Sequence, residues 1–418
     1  MGTAAAWCHR TGQWLTSHAG WCLTVSVGLH VLAVSVFIPE TVDLRVYRDA
    51  SPLVISGGLY DYRLLADPPN SFLPFTYPPF AALVFLPLSR LPWTVAVCLW
   101  QAASVAALFV ISRCAGRLMS PGTGRGGKSH AMLWTAAGLW LEPARHTLDQ
   151  GQVNLLLGAL VLGALTVLRT AVGRGTAVGL AAAVKLTPGI GGLYFLATRQ
   201  WRAAAWALTT ACTATALAWQ AAPRESARYW SALVTNTHRM GPLWSVRNQS
   251  LRGALSRLLG HDAGLSMIWW TTLALVTVLA AYALWNAMRR HDLLGILITA
   301  ELYGLLVSPI SWSHHWIWCL PTMIWLAHNT RRRKPLIRVT LAAWTLATAT
   351  RLVPLLTRLE DNLPSAHRYP ALLAWPASAY AACALLSFLA ISTDRAPAAH
   401  HEDGYRTGRP QTAGDITT

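Results

Sequence analysis

The side chains of this chain best suited to chemistry are few, and each stands at the edge or in the interior of an apolar stretch. Asp43 opens the segment TVDLRVYRDA, just after the first long apolar run. A carboxylate at a hydrocarbon edge is partly desolvated, which raises its pKa and favours proton abstraction. An interfacial acid that merely ends a span is the other reading of the same position. No second acid follows in a DxD arrangement, so a metal held by paired carboxylates is not expected; Asp49 and Asp67 read as solvated loop acids. Lys185 is more telling. Of the three lysines, Lys128 and Lys334 lie in basic loops, whereas Lys185 lies in the apolar run AAAVKLTPGI. A buried ammonium costs roughly 3 kcal/mol or more. It therefore calls for a lipid phosphate, for Glu301 of TAELYG, or for snorkelling to the interface.

Four further segments carry polar groups. GGLYDY (57–62) joins two glycines, which permit a tight turn, to Tyr60, Asp61 and Tyr62. Rings beside a carboxylate suit a sugar face and its hydroxyls, and equally suit an interfacial aromatic belt. LEPARHTLDQGQVN (141–154) puts Glu142, Arg145, His146, Asp149, Gln152 and Asn154 at the mouth of a span. Gln152 and Asn154 enter the membrane there, so they either cap neighbouring helices or meet a ligand. NQSLRG (248–253) offers Asn248, Gln249 and Arg252, and SPISWSHHWIWCLP (308–321) sets His314 and His315 among Trp312, Trp316 and Trp318. Adjacent histidines point to different helix faces, which disfavours a two-histidine metal clamp. One histidine hydrogen-bonding a phosphate or sugar hydroxyl, and a satisfied histidine in an aromatic cluster, both remain open.

The elements that must position these residues are membrane helices. Of 418 residues, 54% are hydrophobic and 12% charged, half the roughly 25% charge of a soluble domain. That excludes an ordinary soluble enzyme and equally a disordered chain. The seven cysteines suggest neither a disulfide framework nor a zinc site. The net charge of +17 is spread over short clusters such as Arg289-Arg290 and Arg331 to Lys334. This is the positive-inside pattern of a membrane protein, not a nucleic-acid surface.

With those clusters kept inside, spans are expected at about 20–38, 93–112, 131–142, 152–168, 203–221, 265–287, 293–311, 313–328, 336–356 and 370–392, a twelve-span version being the alternative. Residues 74–90, broken by Pro74, Pro78, Pro79 and Pro87, read as a juxtamembrane or re-entrant helix on the outer side. Residues 176–198, centred on Lys185 and Pro188, read as two half-helices. One all-α domain over 1–392 results, with outer loops 39–92 and 222–264 forming the active-site face. Both termini are expected inside, with a disordered cytoplasmic tail over 393–418. No internal repeat is visible, which weighs against an inverted-repeat transporter.

Taken in order, the blocks DLRVY, GGLYDY, LPFTYPPFAALVFLPL, EP…DQGQVNLLL, GLAAAVKLTP, NQSLRGALSRLLG and SPISWSHHWIW resemble glycosyltransferase family 87, over about residues 40–325. The resemblance implies a GT-C fold, a plasma-membrane enzyme of ten to twelve helices whose active site faces away from the cytoplasm. It implies a polyprenol-phosphate-mannose donor, inversion to an α-1,2 linkage, and a phosphatidylinositol mannoside acceptor. It also implies membrane-lipid surroundings with no cofactor, no metal and no nucleic acid. Asp43 becomes the base that takes the acceptor proton. Lys185 and one of His314 and His315 match the family's lysine and histidine, and Asn248 and Gln249 its amides; the residue reading adds Arg252 to the donor-phosphate contacts and Tyr47, Tyr60, Asp61, Tyr62, Gln152 and Asn154 to the sugar or acceptor contacts. Branching of lipomannan is the alternative within the family. A lipid or sugar transporter without catalysis is the rival from another class.

Overall fold

Chain this apolar cannot leave backbone N–H and C=O groups unpaired in hydrocarbon, and a helix pairs them within its own segment. The computed structural model, which describes residues 11–37, 40–66, 71–119, 127–264, 266–330, 332–362 and 371–393, is accordingly almost all helix. Among the described residues, four helices are long and apolar enough to cross a bilayer: Ala19–Phe37, Trp93–Met119, Met267–Arg289 and the run Leu372–Thr393. Two bent pairs raise the number to six if each is one span, Glu142–Gln150 with Asn154–Thr166 at 119° and Pro335–Ala349 with Leu352–Asp361 at 49°. The outer sides of these helices are bare hydrocarbon. Trp21, Leu29, Leu32 and Val36 on the first, and Met267, Trp270, Leu275 and Val278 on the third, are exposed. Apolar surface on that scale is stable in lipid and unstable in water. The chain is a multi-pass membrane protein.

The other expected spans are shorter or more polar than a single straight crossing requires. The helices Lys128–Gly138, Leu293–Val307 and Cys319–His328 have 11, 15 and 10 residues, and each residue advances a helix by only about 1.5 Å. Trp201–Ala221 is long enough at 21 residues, but Arg202, Gln220 and four threonines dilute its hydropathy. Residues 74–90 form a helix over Pro79–Phe85 that tightens to a 3-10 turn over Leu86–Arg90, too short to cross. An antiparallel hairpin, β1 (Arg63–Ala66) with β2 (Ser71–Pro74), adds a small sheet that the helical reading did not include. Beyond Thr393, the expected tail lies outside the described residues.

Six helices set the geometry of the site. They are α1 (Val42–Ala50), α2 (Glu142–Gln150), α3 (Asn154–Thr166), α4 (Ala171–Val184), α5 (Trp201–Ala221) and α6 (Leu293–Val307). The amphipathic α1 buries Leu44, Val46, Tyr47 and Ala50. It docks where α2 ends: the Thr41 N–H donates to the Asp149 carbonyl at 3.2 Å. Gly151 then turns the chain with φ of +68°, and a Cβ there would sit 2.6 Å from the Leu44 Cβ. Only glycine permits both the left-handed turn and the approach of α1. The expected break near Lys185 is present. α4 ends there because Lys185 is extended (φ −147°, ψ 127°), and a 3-10 turn over Thr187–Gly191 leads to the short helix Gly192–Ala197. α4 lies tight on α5 through Gly175 and Gly179, whose missing Cβ atoms would fall 2.3 and 2.4 Å from the Ala203 and Ala207 carbonyls. This is the close backbone approach that small residues four apart allow in membranes.

Candidate active site

The i, i+4 spacing on α1 puts Asp43 and Tyr47 on one side of that helix. The turn at Gly151 brings Gln152 and Asn154 underneath, and the extended link at Lys185 delivers its side chain from the far wall. Tyr77, carried by the TYPP segment ahead of the Pro79–Phe85 helix, fills the middle. Its hydroxyl lies 2.8 Å from the Tyr47 hydroxyl and donates to Gln152 Oε1 at 2.9 Å; the Tyr47 hydroxyl is 3.0 Å from the same Oε1. With its oxygen occupied by tyrosines, the Gln152 amide turns its donor side to the Asp43 carboxylate. Lys185 Nζ donates to Asn154 Oδ1 at 2.6 Å and reaches the Tyr77 hydroxyl at 3.4 Å. Asn154 Nδ2 donates in turn to the His314 carbonyl at 2.9 Å, which also accepts from Thr147 Oγ1 at 3.0 Å. One hydrogen-bonded chain thus runs from the carboxylate on α1 to the histidine segment.

Asp43 is half-buried. Its surroundings are nonetheless dense protein on most sides, and this desolvation pushes its carboxyl above the ordinary range. The Gln152 hydrogen bond and the nearby charges of Lys185 and His146 pull the other way without cancelling it. Placement in the first turn of α1 also favours the charged form. A carboxyl whose proton affinity is raised in this way is suited to take a proton from a hydroxyl.

His314 and His315 stand in the 3-10 turn Ser313–Trp318 with rings 4.6 Å apart at 82°. The His314 ring also meets the His146 ring edge-on at 5.0 Å. Both His314 nitrogens and the Nδ1 of His315 are enclosed without a hydrogen-bond partner. The Nε2 of His315 is not among the enclosed atoms. Enclosed imidazole nitrogens with nothing to bond are costly, and their gathering beside Asn154 marks the region as one built for more than packing. Among the described residues, no group of three or more His, Cys, Asp or Glu side chains is arranged to hold a metal ion.

The sequence reading placed Asp43, Tyr47, Gln152, Asn154, Lys185, His314 and His315 in the site, and the fold brings these together. The internal pair of Lys185 with Glu301 does not form; the ammonium is held by Asn154 and Tyr77 instead. Asn248 and Gln249 are corrected outright. Both are fully buried. Asn248 Nδ2 donates to the Leu243 and Pro309 carbonyls, and its Oδ1 accepts from the Ser250 and Ser311 amides. Gln249 donates to the Val246 and Ala377 carbonyls and accepts from the Tyr380 amide. Neither presents a free donor to a sugar.

Arg252 is half-buried and pairs with the exposed Asp262, at 2.7 and 2.9 Å. In GGLYDY the two glycines make the expected turn, with φ of +93° and +86°, but the side chains serve the fold. Tyr60 is buried, stacks on Tyr229 and donates to the Tyr77 carbonyl at 2.8 Å. Asp61 lies in the open, paired twice with Arg228, whose hydrogen bonds hold its carboxyl below the usual range. Tyr62 bonds to Asp49.

Sequence reasoning missed Tyr77 and gave His146 no role. The signal for Tyr77 was a hydroxyl flanked by prolines, which force an extended backbone and present the ring. His146 Nδ1 hydrogen-bonds to Ser313 Oγ at 2.8 Å with Glu142 Oε1 lying 3.3 Å away, and Glu142 Oε2 accepts from the Tyr380 hydroxyl at 2.5 Å.

The model of glycosyltransferase family 87 matches residues 75–309. A polyprenol-phosphate-mannose-dependent alpha-(1-2)-phosphatidylinositol pentamannoside mannosyltransferase of Mycolicibacterium smegmatis is 40% identical over 84% of this chain and 85% of its own. Its counterpart from Mycobacterium tuberculosis is 41% identical over 84% of this chain and 81% of its own. A polyprenol-phosphate-mannose-dependent alpha-(1-2)-phosphatidylinositol mannoside mannosyltransferase of M. smegmatis is 32% identical over 74% of this chain and 75% of its own. No solved structure matches.

Proposed function

The chain belongs to glycosyltransferase family 87, and from that membership and the Asp43 pocket we propose that it transfers mannose from polyprenol-phosphate-mannose to a phosphatidylinositol mannoside. The observation that carries the reading is the hydrogen-bonded chain from Gln152 through Tyr77, Lys185 and Asn154 to the His314 carbonyl, with Asp43 beside the Gln152 amide. It sets a base and a cation within electrostatic reach of each other. Asp43 removes the proton from the acceptor 2-hydroxyl, and that oxygen attacks the anomeric carbon of the β-linked mannosyl phosphate. The bond from that carbon to the phosphate oxygen breaks with inversion, giving an α-1,2 linkage. The departing polyprenyl phosphate is neutralised by Lys185 and accepts a hydrogen bond from His315. Positive charge fixed in a site of low polarity supplies the stabilisation that this leaving group needs. We place the site on the extracytoplasmic face, which the basic clusters between the spans favour.

The higher identity to relatives named for a pentamannoside acceptor, 40–41% against 32–33%, supports an acceptor already carrying several mannoses. The test is reconstitution. Purified protein in lipid vesicles, given the donor and a pentamannoside, should add one hexose in 1,2 linkage, and should do so in EDTA. Transport of donor across the vesicle without a new glycolipid would favour a transporter instead. Addition to lipomannan alone would move the acceptor within the family.

A further inference from the structure

One buried carboxyl has no part in the chain of contacts just described. Glu301, on α6, is 3% exposed, and its Oε1 has no hydrogen-bond partner. The structure also leaves room beside it. A cavity of about 30 Å³ is lined by Glu301, His315 and Asn154 together with apolar groups including Pro188, Ile190 and Trp318. Gly191 leaves the carboxyl its space, since a Cβ there would come 3.3 Å from Oε1. His315, which shares this cavity wall, has an enclosed Nδ1 that also lacks a hydrogen-bond partner. A site for one water needs roughly 10–15 Å³ and two or more polar partners; the volume suffices, and Glu301 and His315 are the wall residues with unpartnered polar atoms.

We propose that Glu301 is a positioning residue that fixes the tautomer of His315 through a water held in this cavity. Among the described residues no cation pairs with Glu301, and in this arrangement its protonated carboxyl donates to the water. The water donates to Nδ1 of His315. With Nδ1 an acceptor, the ring proton resides on Nε2, the nitrogen that is not enclosed, where it can be donated to a phosphate oxygen. The tautomer of a functional histidine is commonly set by the bond at its other nitrogen. That this donation serves the donor phosphate rests on the proposed transferase reading; the tautomer itself does not.

The experiment reads both. Imidazole 15N shifts of the protein in nanodiscs, assigned with His315→Gln, should show the Nε2–H tautomer at His315 in the wild type and in Glu301→Gln, which keeps a donor. Glu301→Met, close in volume but without a hydrogen bond, should give a mixture. Turnover should follow, with Gln within about threefold of wild type and Met lower in kcat by about 10- to 100-fold, at nearly unchanged acceptor KM. A wild-type Nδ1–H tautomer overturns the proposal without any variant. Equal loss in Gln and Met, or no loss in Met, overturns it as well. Because the shifts are read without turnover, a failed transferase assay leaves this result standing.

Discussion

The Asp43 pocket and the knot around Asn248 are both buried, polar and rich in amides, yet they treat hydrogen bonds in opposite ways. At the knot both side-chain amides are bonded to backbone through nitrogen and oxygen alike. Asn248 and Gln249 are saturated by backbone groups of 243–250, 309–311 and 377–380, and Arg257 donates to the Ser245 and Asn248 carbonyls at 2.7 and 2.8 Å. At the pocket, imidazole nitrogens stay unbonded and a carboxylate keeps part of its surface open. A saturated cluster fixes loops, whereas an unsaturated one keeps capacity for a substrate and makes the fold bear the cost. Amide identity alone does not distinguish the two; the count of unused valences does.

The largest effect should come from the open side of this contrast. Asp43→Asn is expected to lower kcat by about 10² to 10⁴-fold, the range for a removed general base, with donor binding retained. Stability should move the other way. Burial raises the Asp43 pKa in the folded state, so the folded chain holds this proton more tightly than the unfolded one. The resulting stabilisation is full below the ordinary carboxylate range and is lost as pH rises through the raised value. Thermal unfolding followed against pH should therefore show wild type losing stability across that window and the Asn variant losing less. The wild-type rate should fall as pH drops through the same window, because the protonated carboxyl accepts nothing. Wild-type activity in Asp43→Asn would dissolve the contrast, since the open cluster would then do no chemistry.

The saturated side should respond in folding alone. Asn248→Ala strands two amides and two carbonyls, each worth about 1–3 kcal/mol when buried and unpaired. A loss of about 3 kcal/mol or more in unfolding free energy is expected, with the rate per folded molecule unchanged. A variant that folds normally but has lost acceptor affinity would return Asn248 to the binding surface.

How much of this was legible follows from the same distinction. Lys185 was conspicuous because an ammonium in an apolar run demands a partner, and Asp43 because it abuts a span. Gln152 and Asn154 were marked by entering a helix at its mouth. The multi-helix architecture was legible because composition forces it. What was not legible depends on distant pairing. Nothing local in NQSLRG tells that Pro309 and Ala377 will consume its amides, or that Asp262, ten residues on, will hold Arg252. Tyr77 was hidden among apolar neighbours, although its hydroxyl joins both halves of the site. The choice of Asn154 and Tyr77 over Glu301 as partners of Lys185 depends on where an extended link aims the side chain, which residue types do not encode.

Lys185 tests whether the open cluster binds the donor as well as it acts on the acceptor. Lys185→Met keeps the stem and removes the charge. A hydrogen bond to a charged group is worth about 1.5–3 kcal/mol, so donor KM should rise by about 10- to 100-fold while acceptor KM stays put. Equal weakening for both substrates would make Lys185 a strut between Asn154 and Tyr77 rather than a phosphate contact.

The smallest effect should be at Arg252, where the two regions are told apart most finely. Its guanidinium lies over Asp262 with side-chain exposures of 24% and 39%, and solvent screens such a pair to about 0–1 kcal/mol. Arg252→Ala is therefore expected to shift unfolding by no more than that and to leave donor KM within about twofold. High salt, which already weakens the pair in the wild type, should shrink even this difference. A tenfold rise in donor KM would instead mean that Arg252 leaves Asp262 for the phosphate when the lipid arrives. The boundary between scaffold and site would then lie on the outer side of the Leu251–Leu259 helix instead of at the His314 segment.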